Sequence, residues 1–541
     1  MEKELREQIR KANASPEKKV ARDCEIRNGE FIRYYGRESE IEIPESVTMI
    51  AEGAFRGNTR VTRVIIGKRV TSIGANAFRD CSSLHDLVIP SGVRMIGEDA
   101  FFGCRSLVSV NLPRTVTYIG AGAFRGCKSL THVILPASIE KVGAFAFCDC
   151  EMLEEMTLPE HLTAIHRGTF FGCRSLRSVK LPPRLRTVGR YGFGCCSLLE
   201  SIELPDSVGY LGSGVFSECS SLKNVRIPPP VKFVGDYAFS RCENLERVEL
   251  PDSVTYIGVN AFCACVKLEQ VEIPPNVIRI APAAFLGCKL LEEITVPEAV
   301  REIGRRAFAY CTSLRRVEIQ ASIPSIAEET FHSCFELESI SLPDSVTVID
   351  ERAFYRCLSL SSVRMPSGLR LIDERAFAEC ESLCEMSLPN ALERIGNNAF
   401  ADCTALTTVI LPNHRMSIEY AAFSGCEAMQ VMVVPTVYWV ISYRLERWAV
   451  PSHVQIITHA ELSYTLILAE LTDPNTDDAR KRELEEEIQR MKRRLKRRKP
   501  LRAKLARIRE SLEDRAAQTA EPTADEAADP ESKSTQDGDE P

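Results

Sequence analysis

The sequence predicts a repeat solenoid, predominantly β, of short parallel strands and single helical turns, followed by a C-terminal α-helical extension. Three observations carry this. Phenylalanine recurs from position 55 to position 423 in unbroken steps of twenty-three, which makes about 17 units without an insertion. Other residue types keep fixed offsets from it, most clearly a cysteine three residues later in sixteen of the seventeen units, Cys81 to Cys426, with Asn58 the exception. Beyond residue 472 the pattern gives way to a charged, helix-like composition. A period this constant means units stacked in one geometry, so the three or four domains that 541 residues would suggest become one solenoid.

Taken in order, residues 1–43 read as an N-terminal cap: a charged helix over 1–20, then a hairpin in "CEIRNGEFIRYYG". Asn28–Gly29 suits a two-residue turn whose central residues both need positive φ. The solenoid occupies 44–434. In each unit "LxxVxIP" alternates apolar and polar residues, as a short half-buried strand does, and proline closes it where no further ladder N–H is needed. "VTxIG" reads as a second short β segment. Its glycine is expected to hold a left-handed turn, because Asp350 and Asp373 replace it in later units and Asp tolerates that region. "AFxxC" is too short for a stable helix and reads as a single turn on the outer side.

One unit cannot bury its own apolar face, whereas units stacked with parallel strands about 4.8 Å apart form a continuous core. Seventeen rungs at that spacing make a rod or arc on the order of 80 Å long. The phenylalanine rings would lie at a separation suited to offset stacking. In the unit "AFRGCKSLTHVILP" the structural columns are Phe124, Cys127, Leu130 and Pro136, leaving Thr131, His132 and Ile134 on the exposed strand face.

Composition narrows the function. The net charge of −7 gives the whole molecule no case as a nucleic-acid binder. "MEKELREQIRKANASPEKK" contains no signal-peptide core, and no apolar run approaches the roughly 18 residues of a membrane helix, so a cytoplasmic location with reduced thiols is expected. The twenty-one cysteines follow a 23-residue period that lines them up along the stack. Metal sites instead need ligands converging on a point, and a uniform ladder is a poor framework for defined disulfides. Packing as small hydrophobes is the expected role of the column, with no metal and no cofactor. Cys148, Cys195 and Cys263 lie beside column members, and the sequence assigns nothing to Cys24 and Cys384. The eight histidines fall at different phases of the repeat, none beside a recognisable nucleophile, and the glycines are dispersed, so the chain is not read as an enzyme.

The motif "LxxVxIPxxVTxIGxxAFxxC" resembles the BspA-like class of leucine-rich repeat over residues 44–434. The resemblance implies a curved solenoid that binds other macromolecules, and it implies no catalytic activity. Many members of the class are surface-exposed or secreted. A surface-exposed or secreted adhesin exported without a recognisable leader is therefore the alternative to a cytoplasmic scaffold for protein–protein interaction.

Residues seven, eight and ten after each phenylalanine are not fixed by the repeat and should face outward on the concave side. They carry Glu154 and Glu155, then Arg177 and Lys180, Glu200 and Glu203, Lys223 and Arg226, and Glu246 and Glu249, so the charge alternates rung by rung. Acidic rungs follow at Glu269, Glu272, Glu292 and Glu293 before Arg315 and Arg316 reverse the sign. Opposite charges on adjacent strands stabilise a sheet by about 0.2–1 kcal/mol a pair, and the same pattern could select a protein partner. Alternation argues against a single-sign groove for nucleic acid.

Residues 435–472, which contain Trp439 and Trp448, read as a C-terminal cap, with an aromatic binding patch as the alternative. Residues 473–516 read as a basic helical or coiled-coil segment starting near Asp477 and Asp478, with Leu484, Ile488, Met491 and Leu495 on one face and a second stripe at Leu501, Leu505, Ile508 and Leu512. Residues 490–509 hold twelve Lys or Arg and no acid, among them Lys492, Arg493, Arg494, Lys496, Arg497, Arg498 and Lys499. Such a run suits docking to nucleic acid or an anionic membrane, or oligomerisation through the helix. Residues 517–541 carry eight acids against one lysine and read as an acidic, disordered tail.

Overall fold

A computed structural model describes residues 23–436, 442–473 and 476–494. The expected helix over 1–20, Trp439, Leu495, the second stripe from Leu501 to Leu512 and the acidic tail lie outside those residues. The chain divides into two compact units, one of Met1–Pro412, Met416–Gln430 and Ser442–Val454, the other of Asn413–Arg415, Val431–Ile441 and Gln455–Pro541.

The first unit is a β-solenoid. Each rung has a two-residue strand such as Tyr118–Ile119 and, in most rungs, a three-residue strand such as His132–Ile134. Both pair in parallel with their equivalents twenty-three residues away, Tyr118 with Met95 and Lys141, and His132 with Ser109. In the rungs of Phe193 and Phe262 the longer strand is reduced to single bridges, Ser201 to Asn224 and Arg247 to Gln270. The antiparallel strands β1 (Cys24–Arg27) and β2 (Glu30–Tyr34) form the expected hairpin, with Asn28 at φ 48° and Gly29 at φ 79°. β2 pairs with the first short strand, Glu30 opposite Met49, so the hairpin adds one more rung to the stack.

The core is a column of rings. Phe31 of the hairpin lies 5.0 Å from Phe55, and successive rung phenylalanines follow at 4.8–5.8 Å with nearly parallel planes. The last pair, Phe400 and Phe423, is 5.5 Å apart and tilted by 3°. Each buried ring contributes about 1.5–3 kcal/mol by leaving water, and each stacked pair about 0.5–1.5 kcal/mol more. Strands alternate as expected: Val133 is buried between His132 and Ile134, and Ile134 is 73% exposed.

The "AFxxC" segment differs from the expected helical turn. Its N–H groups alternate between their own rung and the next. Phe124 and Gly126 donate to the Ala146 and Cys148 carbonyls at 2.8 and 2.7 Å, while Arg125 and Cys127 donate to Gly122 and Phe124 at 2.8 and 3.2 Å. A helical turn aims every N–H along its own segment and could not reach a neighbouring rung. Alternation flips the backbone two residues before and two after every phenylalanine, as with Gly122 (φ 62°) and Gly126 (φ 72°). Positive φ at the third residue of each turn is the type II pattern. Bulky residues are held there too, including Phe145 at 57° and Arg241 at 60°.

The repeat's own glycine, expected to be left-handed, is not. A Cβ on Gly120 would lie 2.5 Å from the Gly97 carbonyl carbon, and one on Gly74 would lie 2.7 Å from the Ile50 oxygen. Glycine stands in this column because adjacent backbones touch, not because of φ. Where Asp350 takes the position, burial and the neighbouring Asp373 hold its carboxyl above the ordinary aspartate range.

The last rung is closed by helix α1 (Ser442–Trp448). The carbonyls of Arg447 and Trp448 accept from Ala421 and Phe423 at 2.8 and 2.9 Å, and Trp448 is buried.

The second unit contains the parallel strands Val431–Val434 and Gln455–Thr458, helix α2 (His459–Thr472) and helix α3 (Asp478–Arg494). α2 starts on a capping box: the Thr458 hydroxyl accepts from the Glu461 N–H, and the Glu461 carboxylate accepts from the Thr458 N–H at 2.6 Å. Asp477 caps α3 by accepting from the Arg480 N–H at 2.8 Å. Leu484 and Ile488, expected as a coiled-coil seam, are buried against Tyr464, Ile467 and Leu468 of α2.

Candidate functional site

The three-residue strands fix the exposed face by their period of two: the middle residue is buried and its neighbours stand out. All eight charged residues singled out on this face, Arg177, Lys180, Glu200, Glu203, Lys223, Arg226, Glu246 and Glu249, are exposed. Their alternation is only partly spent on pairing. Lys223 meets Glu200 at 3.5 Å, Arg247 meets Glu249 of its own strand at 3.8 Å, and farther along Arg316 meets Glu293 at 3.3 Å. Arg226 is opposite Glu249 in register, yet it bonds Asp206 at 2.8 Å, and that hydrogen bond raises its guanidinium pKa. Asp206, beyond the strand, is the residue the alternation did not point to. Among the described residues Arg177, Lys180, Glu203 and Glu246 form no ion pair.

The cysteine column lies behind this face. Each of its sixteen thiols is buried, and each donates its S–H to the carbonyl of the preceding rung's phenylalanine, as Cys81 does to Phe55 at 3.1 Å and Cys127 to Phe101 at 3.2 Å. Burial pushes fifteen of these thiols up, Cys81 to about 12, which withholds the nucleophilic thiolate. Packing was legible in the sequence; the donor role was not. The available signal was the constancy of the column, since a purely apolar site would take Ala or Val in some units. The flanking thiols are no more reactive: burial first and then Asp149 raise Cys148, and burial first and then Glu218 raise Cys195, both to about 12. Cys384 alone is fully exposed among the described cysteines, in an open groove of about 850 Å³ that Arg364, Glu385 and Asn390 also line.

A second cluster sits on the turn side. Glu329 is buried and receives both Nε and a terminal nitrogen of Arg306, at 2.7 and 3.1 Å. Arg352 approaches it to 3.7 Å and His332 to 3.4 Å. Burial works to raise the Glu329 carboxyl, and the Arg306 hydrogen bond and charge overcome it, leaving the group below its ordinary value. His332 is pushed down by burial against the pull of Glu329, and its ring stacks on Tyr310 at 4.9 Å. Arg306, Glu329 and Arg352 share one offset, two residues before the phenylalanine, in consecutive units, so rung-to-rung sign alternation occurs in this column as well as on the strand face. Among the described residues no group of three or more His, Cys, Asp or Glu side chains is arranged to hold a metal ion.

Of the basic segment, the described residues reach Arg494, and the Arg493 side chain is exposed. Lys496, Arg497, Arg498 and Lys499, and the side chains of Lys492 and Arg494, lie outside the described residues. Among the described residues no helix is long and apolar enough to cross a membrane.

Parallel rungs of constant length on an aromatic spine, with an outward strand face the repeat leaves free, define a leucine-rich repeat solenoid. The chain belongs to the BspA-type leucine-rich repeat family: that family's region of six copies matches residues 25–154, 140–268, 212–336, 255–384 and 324–445 in overlapping stretches. Among solved structures, a leucine-rich repeat protein of Bacteroides ovatus is 28% identical over 80% of this chain and 94% of its own, with a TM-score of 0.42. A leucine-rich repeat protein of T. pallidum is 31% identical over 36% of this chain and 82% of its own (TM-score 0.30). A leucine-rich cell surface protein of Faecalibacterium prausnitzii is 23% identical over 78% of this chain and 93% of its own (TM-score 0.36). No curated protein matches the chain in sequence.

Proposed function

We propose that the protein is a non-enzymatic scaffold that binds protein partners along the exposed strand face. The observation that carries this is the set of four charges at Arg177, Lys180, Glu203 and Glu246, exposed on one face and unpaired among the described residues. Charges that only stabilise the sheet would be neutralised by their neighbours, as Lys223 and Glu200 are. A partner of complementary charge pattern gains both steering and register from such a face. The test is capture from a native lysate with the full chain and with Arg177→Glu/Lys180→Glu. Loss of defined partners from the double variant supports the reading, and an identical or empty partner set sinks it.

A second reading rests on the twelve basic residues of 490–509, which suit an adaptor docking to nucleic acid or an anionic membrane. Binding of the full chain to RNA, DNA or anionic vesicles should fall steeply with salt and be lost when Lys496, Arg497, Arg498 and Lys499 become alanine. Self-association through the helix would have to use surface other than Leu484 and Ile488, which α2 covers. Cytoplasmic residence, as opposed to export, is tested on the thiols: twenty-one free thiols on unfolding a native lysate fit a reducing compartment, and widespread disulfides fit export.

A further inference from the structure

Between Glu160 and Glu200 the chain carries no acid, while residues 161–199 hold seven Lys or Arg. Arg167 and Arg190 are one full period apart, so the stretch makes a complete circuit of the solenoid. Arg177 and Lys180 stand on the long-strand face and Arg184 at the turn after it. Arg186 precedes the short strand Thr187–Val188, and Arg167 and Arg190 lie on the turn side. All six are exposed, and none forms an ion pair among the described residues. The seventh, Arg174, borders a cavity of about 310 Å³ that Glu218 and Glu243 also line.

Charges that meet from rung to rung elsewhere are opposite. Lys128 meets Glu151 at 2.8 Å, Arg279 meets Glu302 at 2.9 Å, and Arg394 meets Glu419 at 2.7 Å. Another acid-free run, residues 53–79, has its Arg63 and Arg79 neutralised by Asp86 and Asp99 at 3.0 and 2.7 Å. Arg167 and Arg190 instead share one offset in consecutive rungs, which the Gly168 N–H joins by donating to the Arg190 carbonyl at 2.9 Å. Like charge is thus stacked on like charge, a cost to stability that an anionic partner removes. Acids border the band on both sides: Glu154, Glu155 and Glu160 before it, Glu203 and Asp206 after it, all exposed.

We infer that this band, which rests on the strand-face reading for Arg177 and Lys180, is a docking site for an extended acidic segment of a partner protein that crosses the solenoid along one rung. Width selects the shape of the occupant. Rungs lie about 4.8 Å apart, so the cationic band is about 5–10 Å wide between its acidic borders. A single extended chain fits that width. A nucleic-acid duplex, whose major groove alone is about 12 Å wide, would lay phosphates against the acidic borders. A single nucleic-acid strand needs open ring faces for its bases, and the rings at the band are taken. Phe145 carries Arg125 and Arg167 at 5.5 and 5.4 Å, and Phe171 meets Tyr191 edge to face at 6.0 Å. Five of the six exposed cations are arginines, whose forked N–H groups pair bidentately with carboxylates. From Arg177 to Arg190 they follow one another at two to four residues, at most about 14 Å, steps that acids two or four apart in an extended peptide can span.

The test uses the full chain and a fluorescent peptide of alternating Asp and Ser, read by anisotropy at low salt. Binding is expected near about 10 μM and should weaken about tenfold as the salt rises to about 0.15 M. Arg186→Glu/Arg190→Glu, off the long-strand face, should weaken it at least about tenfold, and Arg186→Lys/Arg190→Lys about threefold, since lysine keeps the charge and loses the fork. Changing Lys496, Arg497, Arg498 and Lys499 to alanine should leave the affinity within about twofold, which separates the band from the basic segment. Arg190→Glu alone sets opposite charges on consecutive rungs, so it should weaken binding while keeping or raising the unfolding midpoint. The proposal is overturned by no binding at about 1 mM, by indifference to Arg186→Glu/Arg190→Glu, by loss of binding in the alanine variant of 496–499, or by single-stranded RNA binding more tightly than the peptide. None of these outcomes touches the lysate capture with Arg177→Glu/Lys180→Glu, so the two readings fail separately.

Discussion

Raising the pH tests the thiol column as a whole. Sixteen column cysteines lie buried with their S–H bonded to phenylalanine carbonyls, and burial holds the pKa of Cys104, Cys150 and Cys334 well above the ordinary thiol value of 9.0. An unfolded chain ionises these thiols near 9 while the folded chain keeps them protonated. Their stabilising contribution is therefore complete below about pH 9 and is lost as the pH rises toward the folded values. Each thiol with a 9.0 reference loses about 0.4 kcal/mol at pH 9 and about 1.4 kcal/mol at pH 10. The fifteen column thiols that burial raises remove about 6 kcal/mol at pH 9 and more than about 20 kcal/mol at pH 10, beyond the 5–15 kcal/mol that usually holds a native state. The solenoid should accordingly unfold between about pH 9 and about pH 10. A titration followed by far-UV circular dichroism and thiolate absorbance should show both signals moving together. Replacing Cys104, Cys127, Cys150 and Cys173 by serine should flatten the dependence by about a quarter, since serine does not ionise. Thiolate absorbance rising near pH 9 by more than the five cysteines outside the column can supply while the chain stays folded, or an unchanged slope in the quadruple variant, would refute the reasoning.

Further outcomes follow from single positions. Cys127→Ala removes the S–H and leaves the Phe101 carbonyl the Cys104 N–H alone, so urea unfolding should show a loss of about 0.5–1.5 kcal/mol beyond that of Cys127→Ser, which keeps a donor; equal losses for the two would mean packing alone matters. Gly126 and Gly120 separate two uses of glycine. Gly126→Ala meets nothing closer than 3.7 Å and should cost about 1–2 kcal/mol through φ alone, while Gly120→Ala collides with Gly97 and should shift the melting temperature much further. Glu329→Gln should destabilise the chain by about 2–4 kcal/mol at neutral pH, measured by urea unfolding, because the fork of Arg306 loses its charged acceptor. The Glu329 carboxyl lies below its ordinary value, so its contribution is present at neutral pH and lost on acidification. The variant's deficit should shrink as the pH falls, and a constant deficit would argue against the ion pair.

The large-scale order was legible because the chain repeats itself: one phenylalanine period fixes strand pairing, ring stacking and the outward face together. What escaped reading depends on contacts between copies. Gly120 looks like any turn glycine until the neighbouring Gly97 is set against it, and the left-handed positions are hidden because residues such as Phe145, Arg241 and Tyr310 occupy them. The thiol's acceptor lies twenty-six residues away in the chain, a distance that carries meaning only once the rungs are stacked. The stripe through Leu484 and Ile488 was visible, but its partner α2 has no comparably clear apolar pattern, so nothing in the sequence showed the stripe to be filled from within. On the candidate face, exposure and alternation were readable, whereas the choice of Asp206 by Arg226 depends on where the chain turns after the strand.

Because Cys127 reaches Phe101 and Phe124 stacks on Phe147 by the same step at every level, the interior does not register how many levels there are. Loss or gain of one whole 23-residue period splices like onto like, while loss of a single residue leaves one short rung whose columns miss those of its two neighbours. Whole periods are therefore the quanta in which this stack changes length at least cost. Each quantum leaves the spine as it was and slides the outer charges one level along, bringing like signs face to face and exchanging one surface code for another.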